Sequence, residues 1–121
     1  MTGRGHPLLV YVDADAALRR FAVTTFRDEY IVESVATVEE IHSMIEPAVA
    51  IINLSDATDL QPVWDGLTGR WPSVPAVVVL TKEAAIKRDR EARCGHWRPA
   101  SIVVNPYPPE AMSRGVVAAL S

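Results

Sequence analysis

Four short runs constrain this chain most: residues 8–12 (LLVYV), 49–52 (VAII), 76–80 (AVVVL) and 102–104 (IVV) are almost wholly apolar and rich in β-branched side chains. None alternates apolar with polar. A strand with one wet face does alternate, so these runs require cover on both faces, the condition of a parallel sheet between helices. A fifth run, 30–35 (YIVESV), carries Glu33 in its middle, which suits an edge strand. The 121 residues, 49% apolar and 22% charged, suffice for one such domain, 1–121, and not for two. A chain of this length buries roughly two thirds of its unfolded surface, so its core needs neither metal nor disulfide.

Segments of helical spacing separate the runs, each long enough for a crossover. Leu18, Phe21, Ala22, Thr25 and Phe26 form one stripe, predicting a helix over about 16–28. Thr37 followed by Glu40 reads as a capping box, opening a second helix with Val38, Ile41 and Ile45 inward and ending before Pro47. Leu60, Val63, Trp64, Leu67 and Trp71 make a third stripe, with Pro62 in the first turn. A fourth helix over 83–94, closed by Gly95, has a thin apolar face of Ala85, Ile86 and Ala92. Pro108, Pro109 and Glu110 open the last, with Met112, Val116, Ala119 and Leu120 inward. Five β-α units with right-handed crossovers predict a doubly wound α/β sheet with five helices.

Composition removes several functions. The formal charge of −3 argues against nucleic-acid binding by the domain as a whole. No apolar stretch approaches the ~20 residues that span a bilayer, the lone Cys94 can form no internal disulfide, and residues 1–7 do not read as a secretion signal, so a cytoplasmic location is expected. No glycine-rich phosphate loop follows the first run. His6, His42 and His96 fall on separate segments with no metal-ligand spacing, and no cofactor is expected.

In doubly wound sheets chemistry sits at the carboxyl ends of the strands. The first run ends in Asp13-Ala14-Asp15, the third strand in Asn53, the fourth in Thr81 and the fifth in Asn105-Pro106. This constellation resembles the receiver domain of two-component response regulators, and the resemblance covers essentially the whole chain. It implies a flavodoxin-like, CheY-like fold with strand order 2-1-3-4-5, a signalling role in a phosphorelay, and a cis bond before Pro106, since Asn105-Pro106-Tyr107 stands where the family has lysine, proline and an aromatic. It is also compatible with residues 1–121 being the N-terminal part of a longer regulator.

The departures from the family pattern decide the expected function. Asn53 stands at the phosphoacceptor position, and an amide cannot act as the attacking nucleophile. Ala14 replaces one member of the acidic pair, leaving Asp13, and Asn105 replaces the lysine that contacts the phosphoryl group. A receiver pocket with a net charge of about −2 takes Mg²⁺; one carboxylate, Asp13, holds it weakly at best. At the switch positions Thr81 is present, but Ile102 stands where the family has an aromatic. The resemblance therefore implies a pseudo-receiver, not an enzyme, that acts through protein contacts. Two other readings exist: phosphorylation at a displaced aspartate, Asp56 or Asp15, and a small phosphatase of the haloacid-dehalogenase type using Asp13 and Asp15 as a DxD pair.

Residues 82–98 hold Lys82, Lys87, Arg88, Arg90, Arg93 and Arg98 against Glu83, Asp89 and Glu91, so this segment is +3 while the rest of the chain is −6. A charged, thinly apolar helix beside an edge strand is a docking surface in prospect. With Trp97 and Tyr107, residues Lys87, Arg88, Arg90 and Arg93 form the expected partner surface. By resemblance, the fourth helix, last strand and last helix are also a place for homodimer contact.

Overall fold

The computed structural model describes residues 6–54, 60–83, 101–105, 108 and 110–120, apart from the side chains of 60–64 and 105. All five runs are strands: β1 (Leu8–Val12), β2 (Ile31–Val35), β3 (Val49–Asn53), β4 (Ala76–Thr81) and β5 (Ser101–Asn105). They form one parallel sheet in the order β2-β1-β3-β4-β5, the doubly wound arrangement expected from the uninterrupted apolar runs. β2, the strand with the charge, lies at an edge.

The described α-helices are α1 (Ala16–Phe26), α2 (Leu60–Arg70) and α3 (Ala111–Leu120). Successive residues of a strand face opposite ways, so the core divides in two. Leu9, Tyr11, Val49 and Ile51 pack with Ala22 and Phe26 of α1 and Met112 and Val116 of α3. On the other face, Val10, Val12, Ala50 and Ile52 pack with Val38, Leu67 and Trp71. Pro62 falls within the first turn of α2, where its missing N–H costs nothing. Gly115 lets α3 approach the sheet: a Cβ there would lie 3.1 Å from Val103 and 3.3 Å from Val77.

Three expectations need correction. α1 stops at Phe26, whose carbonyl accepts from both the Glu29 and Tyr30 N–H groups at 3.1 and 2.9 Å in a closing turn before β2, and its buried face is Ala22 and Phe26, with Phe21 exposed on the flank. In α3, Leu120 is exposed at the final turn while Ala119 packs on the core. The largest departure is the second helix.

Only a 3-10 turn, Val38–Glu40, forms there, and Thr37 makes no side-chain cap. The physical cause is a set of competing bonds. The Glu40 Oε1 accepts from the Ala36 N–H at 2.9 Å, and the Glu33 carboxylate accepts from the His42 and Ser43 N–H groups at 2.7 and 3.2 Å. The Arg70 guanidinium donates to the Ile41 carbonyl at 3.0 Å and, more distantly, to that of Ser43 at 3.4 Å. Val38 and Ile41 stay buried as expected, but Ile45 is 73% exposed and Met44 92%. The helix expected over 83–94 lies outside the described residues. No described helix is long and apolar enough to cross a membrane.

Candidate functional site

β1 and β3 are neighbours, and their register sets Val12 against Ile52, so Asp13 comes opposite Asn53. The Asn53 Nδ2 donates to Asp13 Oδ2 at 2.9 Å. Two residues upstream of Asp13, and so on the same face, the Tyr11 hydroxyl donates to the same oxygen at 2.7 Å. The Asp15 N–H donates to Oδ1 at 2.9 Å. Three donors thus converge on one carboxylate that is 3% exposed, the one buried charged side chain among the described residues. A buried polar group needs such partners, because water is not there to supply them. The loop itself is fixed by the Asp13 N–H on the Val35 carbonyl at 3.0 Å and by Arg19 Nη1 on the Asp13 carbonyl at 2.7 Å.

Asp15 has a local task. Its Oδ1 accepts from the N–H groups of Ala17 and Leu18 at 2.8 and 3.2 Å, capping α1 at its N-terminus. Ala14 is exposed between the two acids.

The rim continues along the sheet. Asn53 pairs in register with Val79, and Thr81, two residues on, pairs with Asn105, so Asn53, Thr81 and Asn105 occupy one end of three adjacent strands. Thr81 is half-buried. Ile102 lies in β5 opposite Val78 and is partly exposed. The site therefore joins Asp13 directly to Asn53, and Thr81 to the Asn105 backbone by strand pairing. Asp56, Lys87, Arg88, Arg90, Arg93, Trp97, Pro106 and Tyr107 lie outside the described residues.

Tyr11 and Arg19 were not foreseen as site residues. Tyr11 had a legible signal: a tyrosine in an otherwise aliphatic strand, two residues before an aspartate, buries a hydroxyl that needs an acceptor on its own face. Arg19 reaches a backbone carbonyl, which no side-chain motif announces.

The residues fit a divalent cation poorly. Asp13 Oδ2 already receives two donors, a third occupies Oδ1, and the neighbouring amide presents N–H toward the carboxylate where a metal would need oxygen. Among the described residues, no three His, Cys, Asp or Glu side chains are grouped to hold a metal.

With this geometry the chain resembles solved receiver domains. The chemotaxis response regulator CheY4 of Vibrio cholerae superposes with a TM-score of 0.74 at 18% identity, covering 96% of this chain and 100% of that one. The fold is that of a response-regulator receiver domain. The HemR receiver domain from Leptospira biflexa gives 0.74 at 16% identity, over 95% and 94% of the two chains. An adenylate cyclase from Rhodopirellula baltica superposes with a TM-score of 0.78 at 11% identity, over 96% and 88% of the two chains. No family model matches the sequence, and no curated protein does.

Proposed function

We propose that this chain is an atypical receiver in signal transduction that works without phosphorylation, through protein contacts and not catalysis. The observation that carries the reading is the Asn53 amide donated to Asp13 Oδ2. In a phosphorylated receiver this pair of positions holds a nucleophilic carboxylate beside a metal-binding one. Here an amide and a carboxylate are bonded to each other, and the amide lacks the charge and available lone pair of a nucleophile. Tyr11 completes an arrangement in which the Asp13 carboxylate serves the fold. Asp15, the described alternative acceptor and the acid/base of a phosphatase reading, is engaged with two backbone N–H groups of α1.

In this reading Mg²⁺ binds weakly or not at all, and the domain, 1–121, operates in the cytoplasm without contacting nucleic acid. Its partner surface is drawn from Lys87, Arg88, Arg90, Arg93, Trp97 and Tyr107 together with the last strand and last helix. The partial exposure of Ile102 and Val104 on β5 and of Val117 and Leu120 on α3 supports a contact on that side, homodimeric or with another protein.

The test is intact mass after incubation with Mg²⁺ and acetyl phosphate, with beryllofluoride titrated in parallel by NMR. No adduct and no saturable shift at Asp13 or Thr81 is expected from the folded protein. A phosphoryl adduct would overturn the reading and direct mapping to Asp13, Asp15 and Asp56.

A further inference from the structure

The opposite side of the sheet carries a second surface. β2 is an edge strand whose inner side is fully paired: the Ile31 N–H donates to the Pro7 carbonyl at 2.9 Å, and the Val35 carbonyl accepts from Asp13 at 3.0 Å. In a parallel ladder alternate residues direct both N–H and C=O to the same neighbour. Residues 31, 33 and 35 therefore face β1, and the even-numbered residues face outward. The Tyr30 N–H is taken by the Phe26 carbonyl and the Ala36 N–H by the Glu40 carboxylate. Val32 and Ser34 remain, and no described hydrogen bond takes up their N–H or C=O groups.

Apart from Glu33, nothing usual protects this edge: β2 has no proline, no lysine and no bulge. Its one charge, Glu33, is bonded to the His42 and Ser43 N–H groups. Ser34 stands between two shallow grooves, one walled by Ala16, Arg20 and Val23 of α1, the other by Glu33, Glu40 and His42. Because the second helix is missing, Ile31 is 58% exposed on the face of Glu33, and Met44 and Ile45 project from the segment that Glu33 anchors.

We propose that the outer edge of β2 receives an extended, cationic segment of a partner protein, which adds as a sixth strand and sets a Lys or Arg opposite Glu33. Strand addition takes its affinity from main-chain hydrogen bonds and its specificity from alternate side chains. Charge selects the occupant. Residues 28–46 carry Asp28, Glu29, Glu33, Glu39, Glu40 and Glu46 and no Lys or Arg; on the Glu33 side the groove's one cation, Arg19, is bonded to the Asp13 carbonyl and Arg70 to that of Ile41, while Arg20 lines the groove on the α1 side. A second copy of the chain fits worse. With the Tyr30 and Ala36 N–H groups taken, the antiparallel self-pairing that uses both outward residues of each copy sets Val32 against Ser34, which brings the two Glu33 side chains face to face. The proposal goes beyond the phosphate-free reading and does not depend on it, since it uses the outward groups of Val32 and Ser34 and neither Asp13 nor Asn53.

The probe is a blocked octapeptide of alternating valine and lysine, titrated into the isotope-labelled protein. Shifts centred on the Val32 and Ser34 amides, with slowed hydrogen exchange at both, are the expected result. A twin with glutamate for lysine should bind more weakly by about tenfold or more, and so should a twin N-methylated on every amide that faces β2. N-methylation of the opposite edge should leave affinity unchanged. The proposal is overturned if the β2-facing N-methyl peptide binds as well as its parent, because attraction is then by charge alone. It is equally overturned if the shifts lie elsewhere, or if no binding occurs to millimolar peptide.

Discussion

The Tyr11 hydroxyl lies 2.7 Å from Asp13 Oδ2, a bond between two residues of one strand end, with the tyrosine fully buried and the carboxylate nearly so. Removing the hydroxyl alone tests its structural role. Tyr11→Phe keeps the ring in the core and leaves the carboxylate one donor short, a loss of about 1–3 kcal/mol for a buried polar group. Urea denaturation should show a lower midpoint with unchanged slope. An unchanged midpoint would mean that the bond contributes nothing net.

Asn53→Asp restores the acid that the receiver pattern implies, but it replaces a donor with a second carboxylate beside Asp13. Two like charges in contact are unfavourable unless a cation intervenes. The variant should unfold at lower urea than the parent without metal and regain stability as MgCl₂ is added, while the parent shows no such dependence. Equal Mg²⁺ responses in the two proteins would contradict this.

Glu33→Gln keeps the size of the side chain but weakens its hold on the His42 and Ser43 N–H groups, since a neutral oxygen accepts less strongly than a carboxylate. Hydrogen exchange at residues 42 and 43 should quicken several-fold while the β1 and β3 amides keep their protection. Exchange that quickens across the whole sheet would instead mark Glu33 as a global stabiliser.

At Gly115 a side chain must enter space already held by Val103, Ser101 and Val77. Gly115→Leu should cost about 1–3 kcal/mol through overpacking, outweighing the gain in helix propensity. The thermal midpoint checks it, with the exposed helical position Gly69 as the control. A Cβ at Gly69 would meet nothing within 4 Å, so Gly69→Ala should be neutral or stabilising.

Much of this fold was legible because its strands are buried on both faces. Residues 8–12 match β1, and the other runs differ from their strands by no more than a residue at either end, since a continuous β-branched run has few alternatives once it must be covered. The edge position of β2 followed from Glu33. At the site, the order of strand ends placed Asp13, Asn53, Thr81 and Asn105 on one rim. Tyr11 escaped notice because its hydroxyl is a single polar atom in an apolar run. The helix expected after Thr37 failed for a different reason: Thr37, Val38 and Glu40 carry the local pattern of a start, yet the bonds that decide the segment come from Glu33 on the sheet and Arg70 on α2.

By itself, then, the amino-acid sequence determined the parallel sheet and the rim where polar residues collect, because hydrophobic cover and crossover handedness depend on patterns along the chain; the strand order came with the resemblance to receiver domains. The tertiary structure alone decided that Asp13 is bonded by Tyr11 and Asn53, and that residues 41–46 are not helical, with an unpaired edge beside them. Those outcomes turn on hydrogen bonds between groups up to 40 residues apart, and such bonds exist only once strand register has brought donor and acceptor within 3 Å.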